Sequence, residues 1–215
     1  GLAKLDDLME KVAEEKQPAV AITDHGNMFG AYNAYKAGKK YGVKTIIGSE
    51  FYLAPGDTSR RTRERIQWGS GGGDDVSGGG AFTHATLLAE NNKGMHNLFK
   101  LSSESFISGM YYKPRIDREL LSQYHEGIIA TTGCPSGEIQ TRIRLGQFDE
   151  ALEAAAIYRD IFGANNYFVE IMDHGLNIEK MTRDGLLVIS KKLNIPMVAT
   201  NDLHYVSRED ATAHE

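Results

Sequence analysis

The sequence predicts an α/β fold in which short strands alternate with helices. Six apolar runs of strand length recur along the chain. Between most of them lie amphipathic segments whose apolar residues stand three and four apart. No break in composition divides the chain, so one domain is expected rather than two. Short apolar strands covered by amphipathic helices read as a parallel sheet. An open doubly wound sheet and a closed barrel both suit this pattern.

Leu5, Leu8, Met9 and Val12 share one face of a helix that ends before Gln17. PAVAIT (18–23) is the first strand. Met28 to Lys40 is helical, with Gly42 as its stop. KTIIGSEFYL (44–53) is the next strand. An irregular stretch follows over about 55–81, and its Gly/Ser/Asp tract at 69–80 is expected to be mobile. FTHATLLAE (82–90), GIIATT (127–132), YFVEIM (167–172) and IPMVAT (195–200) are the remaining strands. Gly94 to Ser103, Phe148 to Ile161 and Ile178 to Leu193 are helices.

Composition narrows the function. The 215 residues are 41% hydrophobic and 25% charged, a globular balance rather than a disordered one. A net charge of −5 argues against a domain held on nucleic acid by bulk charge. The single cysteine, Cys134, excludes a disulfide framework and points to a reducing compartment, expected to be the cytoplasm. No apolar run approaches the ~20 residues of a membrane span, and the first residues lack the apolar core of a signal peptide. The chain starts without Met and ends in SREDATAHE, which reads as a helix cut short; a piece of a longer gene product is expected.

The informative pattern lies at the strand ends. Asp24, His25 and Gly26 follow the first strand, and Glu50 comes after TIIG. His84 stands near the start of FTHATLL, and Gly133 and Cys134 follow GIIATT. Glu170, Asp173 and His174 accompany YFVEIM; Asn201, Asp202 and His204 follow PMVAT. Parallel α/β folds place their sites at the carboxyl ends of strands. Imidazole, carboxylate and thiolate are ligands for Zn²⁺, Mn²⁺ or Fe²⁺, and several carboxylates suit a multinuclear hydrolytic centre.

Plainer readings stand beside these. Asp24 and Asp202 can simply cap helices. Cys134 can be a small buried hydrophobe. His174 can belong to a turn, and His96, His125 and His214 fall in helical or loop segments and read as solvated or hydrogen-bonding residues. Arg60, Arg61, Arg63 and Arg65 beside Trp68 can contact phosphate, or form a solvated face. The Gly-rich tract lacks the spacing of a phosphate-binding loop, and no G-x-S-x-G supports a serine hydrolase. Ser136 and Glu138 read as a helix start.

AITDHGNMFGA (21–31), IIGSEFYLAPG (46–56), FTHATLLAEN (82–91) and GIIATTGCPSGE (127–138) resemble the PHP (polymerase and histidinol phosphatase) domain. NYFVEIMDHG (166–175) and VATNDLHYVSREDATAHE (198–215) extend the likeness over essentially the whole chain. DHGNMFGA, GCPSGE and ATNDLHY are similar to the branch found in the bacterial DNA polymerase III α subunit, and DDVSGGGAFTH to its actinobacterial type.

The resemblance implies a distorted, TIM-like barrel of seven βα units, here with six of the seven strands. It implies up to three divalent metals, Zn or Mn, held by His25, Glu50, His84, Cys134, Asp202 and His204. It favours neither Glu170 nor His174. It also implies a first strand with a His-x-His pair and a following Asp, three of nine ligands, ahead of Gly1; the chain alone is then expected to be weak or inactive. The implied activity is 3′→5′ exonuclease proofreading, with Glu50, Asp202 and His204 catalytic. The implied partners are a single-stranded DNA 3′ end, the rest of the polymerase and other replisome subunits, with no membrane. A non-catalytic metal-binding scaffold and a phosphatase of the histidinol phosphate type stay open beside it.

Overall fold

All six apolar runs form strands, and the order in which they pair positions the site. The computed structural model describes residues 2–69 and 76–214. Residues 70–75 of the Gly-rich tract and the His214 side chain lie outside what is described.

Helix α1 (Leu5–Glu14) buries Leu8, Met9 and Val12 against Ala34 and Ala37 of α2 (Ala31–Tyr41) and Ile22 of β1 (Ala19–Ile22). Helix α2 stops where predicted, at Gly42 in the left-handed region with φ 73°. Strand β2 (Lys44–Leu53) is the longest, and it is the hub of the sheet. Its first half pairs in parallel with β1, from Ala19 opposite Lys44 to Ile22 opposite Ile47. Its second half pairs antiparallel with β3 (Thr83–Ala89), from Gly48 opposite Leu88 to Leu53 opposite Thr83. A short turn, α3 (Ser77–Gly80), leads into β3.

The sheet continues from β3 through β6 (Ile128–Thr131) and β7 (Tyr167–Ile171) to β8 (Met197–Ala199). Strands β6, β7 and β8 are parallel to one another, whereas β3 and β6 are antiparallel. The sheet is therefore mixed where a parallel one was expected. The physical reason is the connection: a parallel neighbour needs a crossover, usually a helix. Residues 54–69 supply an irregular loop instead. The alternation of apolar residues carries no record of strand direction.

A second departure is the hairpin β4 (Met110–Tyr111) and β5 (Lys113–Ile116), which attaches to Tyr52 and Leu53 of β2. It follows α4 (Asn92–Ser108), whose N-cap is Asn91, and precedes α5 (Arg118–Gln123), capped by Asp117. Helices α6 (Glu138–Arg144), α7 (Phe148–Phe162) and α8 (Asn177–Leu193) then pack Ile139, Ala155 and Ile189 on the main core around Phe51, Leu87, Ile128 and Val169. A 3₁₀ turn, Arg208–Asp210, and α9 (Ala211–His214) complete the described chain.

The loop after β2 is pinned by buried charge. Arg60 was grouped with a basic patch, but its side chain is only 4% exposed. Its Nη1 donates to both carboxylate oxygens of Asp117 at 3.0 Å, and its backbone N donates to Asp117 at 2.8 Å. Arg115, fully buried, donates to the carbonyls of Ala81, Arg60 and Thr62 at 2.9, 3.0 and 2.5 Å. Arg142 stacks 3.9 Å from the Trp68 ring. Arg61, Arg63 and Arg65 remain exposed.

Asp117 also accepts from Leu120 N as the cap of α5. Asp117→Ala should therefore leave buried Arg60 with only the exposed Glu119 as counter-charge and cost roughly 3–5 kcal/mol of stability. Glu119→Ala, which removes a 62% exposed partner of the same guanidinium, should cost no more than about 0.5 kcal/mol. Urea unfolding of both variants checks the difference.

Candidate metal centre

The chain past β1 runs beside β2 and ends its pairing at His25, which bridges Glu50. Gly26 N donates to Glu50 O at 2.8 Å and Glu50 N donates to Asp24 O at 3.1 Å. Gly26 turns the chain away at φ 67°, and a Cβ there would sit 2.6 Å from the Tyr52 ring. Only glycine meets both conditions. Asp24 points elsewhere: its carboxylate accepts from Gly30 N at 2.8 Å just ahead of α2, whose N-cap is Gly30 and not Asp24 as the plainer reading had it.

Glu50 is the centre of the cluster. Its side chain is 5% exposed. One carboxylate oxygen faces His25 Nε2 at 3.2 Å and the other faces His84 Nδ1 at 2.5 Å. Cys134 Sγ lies 3.2 Å from Glu50 Oε1 and 3.4 Å from His84 Nδ1. The ligand atoms of His25, Glu50 and His84 lie within 4.8 Å of one another. On the other side, the His204 ring stands 5.9 Å from the His25 ring, and its Nδ1 donates to the Asp202 carbonyl at 2.7 Å. His25, Glu50, His84 and Cys134 thus meet at one rim of the sheet, with His204 and Asp202 beside them.

The electrostatics follow from burial. Desolvation pushes the Glu50 carboxyl up, but the His84 hydrogen bond, the charges of His84 and His25, and the Cys134 thiol outweigh it. The net effect holds Glu50 below its ordinary value. Burial and the Glu50 charge push the Cys134 thiol up. Burial, then Glu50, raise Asp202, against the pull of His204, His25 and His174.

Two imidazoles and a carboxylate in mutual reach, with the Cys134 thiol beside the carboxylate and one of the imidazoles, fit a divalent transition cation. His25, Glu50, His84 and Cys134 could hold one, and Asp202 and His204 stand at its edge.

Glu170 and His174 are otherwise engaged. Glu170 is buried and accepts from the hydroxyls of Thr131 and Thr200. His174 bonds Glu179 and the Asn201 carbonyl. His96 and His125 each bond a backbone carbonyl of the preceding turn, those of Asn92 and Ser122. Two residues escaped the sequence reading. Phe82 stacks on His84 with centroids 5.7 Å apart, and Tyr52 meets the same ring edge-on at 5.3 Å. Their signal was the strand period of two: Glu50 with Tyr52 and Phe82 with His84 each share a face.

A family model described as the PHP domain matches residues 1–174. The DNA polymerase III subunit alpha of Saccharopolyspora erythraea is 55% identical over 223 aligned residues, covering 100% of this chain and 18% of that protein. The same subunit of Mycobacterium tuberculosis is 56% identical over 218 residues, with the same 100% and 18% coverage. That of Deinococcus radiodurans is 47% identical over 219 residues, covering 100% of this chain and 16% of that protein. The chain thus spans less than a fifth of these relatives' length. A solved structure from Bifidobacterium adolescentis, classed as a metal-dependent phosphoesterase, superposes with a TM-score of 0.54 at 15% identity. The match covers 96% of this chain and 84% of that one, and at this identity it bears on the fold alone.

The Glu50 carboxyl is held below its unfolded value, so its contribution to stability is full above about pH 4.3 and is lost as pH falls through the folded value. In the metal-free protein, Glu50→Gln should lower the urea midpoint at neutral pH and flatten its fall below about pH 4.3. Midpoints measured across that range for both proteins check the sign.

Proposed function

Because the chain belongs to the PHP domain family, we propose that it is the metal-dependent 3′→5′ exonuclease domain of a replicative DNA polymerase α subunit. One observation carries the reading: His25, Glu50, His84, Cys134, Asp202 and His204 gather on a single rim from separate segments of the chain.

Glu50 suits a bridging carboxylate, since its two oxygens face different imidazoles. His25, His84, Asp202 and His204 would be terminal ligands, and Cys134 a soft ligand favouring Zn. Divalent cations held there, Zn or Mn and up to three in the complete domain, would supply Lewis acidity and activate water. In the reaction, a water oxygen bonds to the phosphorus of the last phosphodiester. The bond to the 3′ oxygen of the preceding nucleotide breaks, and a nucleoside monophosphate leaves. Tyr52 and Phe82 wall the His84 ring and limit its reorientation.

The surface leading to the rim suits an unpaired strand. Phe29 stands four residues after His25 and is 80% exposed; Tyr32 follows on α2 at 69%. Lys36 and Lys39 lie 4.8 and 4.7 Å above the Tyr32 and Tyr35 rings. Bases stack on such rings, and the amines answer the phosphates. With a net charge of −5, the rest of the polymerase and its replisome partners would supply most DNA affinity. No helix among the described residues is long and apolar enough to cross a membrane.

The test is primer trimming by the full-length protein, with Zn²⁺ or Mn²⁺ restored after chelation. Asp202→Asn and His204→Ala should reduce 3′ trimming to background while polymerisation persists. Wild-type polymerisation without any trimming would favour the non-catalytic scaffold. Phe29→Ala should forfeit about 1–3 kcal/mol of stacking, a roughly five- to 150-fold rise in KM for single-stranded DNA at little change in kcat.

A further inference from the structure

We propose that His174 is a positioning residue for the loop that carries Asp202 and His204, an inference that rests on the metal-dependent reading above. His174 follows β7 and faces two elements at once. Its Nδ1 lies 2.5 Å from Glu179 Oε1 in the first turn of α8, and its Nε2 lies 2.7 Å from the Asn201 carbonyl oxygen. A carboxylate and a carbonyl are both acceptors, so each ring nitrogen carries a hydrogen. The ring is a two-armed donor that ties α8 to the loop after β8.

The anchor on the helix side is rigid. Glu179 is 4% exposed at its side chain, and its second oxygen accepts from the backbone N of His174 at 2.8 Å and of Leu176 at 3.2 Å. Burial pushes the Glu179 carboxyl up, but these bonds hold it below its ordinary value, and the Glu179 bond raises His174. Capping α8 needs only Glu179 and the two backbone donors. The second arm, to Asn201, serves the loop.

The place where that arm lands matters. The loop is fixed on its near side by Thr200, whose N donates to Ile171 O at 3.1 Å and whose hydroxyl donates to Glu170. The next peptide joins Asn201 to Asp202, and His174 holds its carbonyl. Asp202 then adopts φ 42°, a left-handed conformation that side chains other than glycine rarely take. Turning that peptide out of the strained conformation would swing the Asn201 carbonyl off His174. Asp202 in turn holds the His204 ring through its own carbonyl at 2.7 Å. The geometry passes from Glu179 to His174, to the peptide after Asn201, and from there to both candidate ligands.

The experiment titrates the metal-free full-length protein with Co²⁺ alone and follows its visible absorption. The thermal midpoint of the metal-free protein and the polymerisation rate are measured beside it. His174→Ala should weaken Co²⁺ binding roughly 10- to 100-fold and alter the spectrum, with only a small fall in the metal-free midpoint from the lost Glu179 bond and polymerisation unchanged. His174→Gln, which keeps a donor for the Asn201 carbonyl, should recover part of the affinity. Wild-type affinity and spectrum in His174→Ala, while His204→Ala weakens binding, would overturn the positioning role and leave the nuclease reading standing. A matching fall in metal-free stability with no recovery in His174→Gln would make His174 structural and also overturn it. Absence of Co²⁺ binding by the wild type would remove the metal reading itself, and this inference with it.

Discussion

Glu50 is a carboxylate placed where a carboxylate is costly. Bringing such a charge out of water costs several kcal/mol, and hydrogen bonds must offset it locally. Here two imidazoles and a thiol do so, from β3, from the turn after β1 and from the loop after β6. Every one of those elements must be in register for the offset to exist. The backbone enforces this, since Glu50 itself accepts from Gly26 and donates to Asp24. The site and the fold therefore share their strictest constraint: misplacing β1, β3 or the Cys134 loop leaves a buried charge with too few partners.

The same residue explains the layout of β2. Alternation along the strand sends Phe51 and Leu53 into the main core and Glu50 and Tyr52 toward the rim. The reversal of β3 completes it. In a parallel sheet the start of a strand lies at the face opposite the site, and His84, near the start of its strand, would be lost to the cluster. Antiparallel pairing puts Tyr52 opposite His84 and Glu50 opposite Thr86, so the beginning of β3 meets the end of β2. The pinned loop over 54–69 makes that reversal possible, and the buried Arg60–Asp117 and Arg115 contacts hold the loop in place. A charged network remote from the chemistry thereby sets where a candidate ligand stands.

What the chain disclosed in advance follows from which signals are local. Apolar runs and stop residues such as Gly42 are local, and the six strands and the α2 boundary came from them. Strand-end residues are local too, which is why the wider set of His, Asp, Glu and Cys could be listed; the narrowing to His25, Glu50, His84, Cys134, Asp202 and His204 came from the PHP resemblance. Hairpin β4–β5 was hidden because Lys113, Pro114 and Arg115 make no apolar run, and the carbonyl oxygens that bury Arg115 are distant in sequence. Arg60 was misread for the same reason: its partner Asp117 lies 57 positions away. The second arm of His174 had no signal at all, because it ends on a backbone carbonyl, and every residue has one.

The charge pattern gives the rim its logic. A cluster holding Glu50 and Asp202 on a chain of net charge −5 repels a phosphodiester, and the two carboxylates also oppose each other, which adds to burial in raising Asp202. Imidazoles relieve this for Glu50, which two rings face directly. Asp202 is relieved less, and it sits in a strained backbone conformation. On the nuclease reading, a cation resolves both conflicts at once: it answers the second carboxylate and turns the local field toward a phosphate. The exposed Phe29 and Tyr32 with Lys36 then deliver the strand through stacking, an attraction that does not depend on the sign of the field at the centre. On that reading, attraction for the strand and accommodation of its charge are separated in space, aromatic and amine on and just before α2, carboxylate and imidazole at the rim.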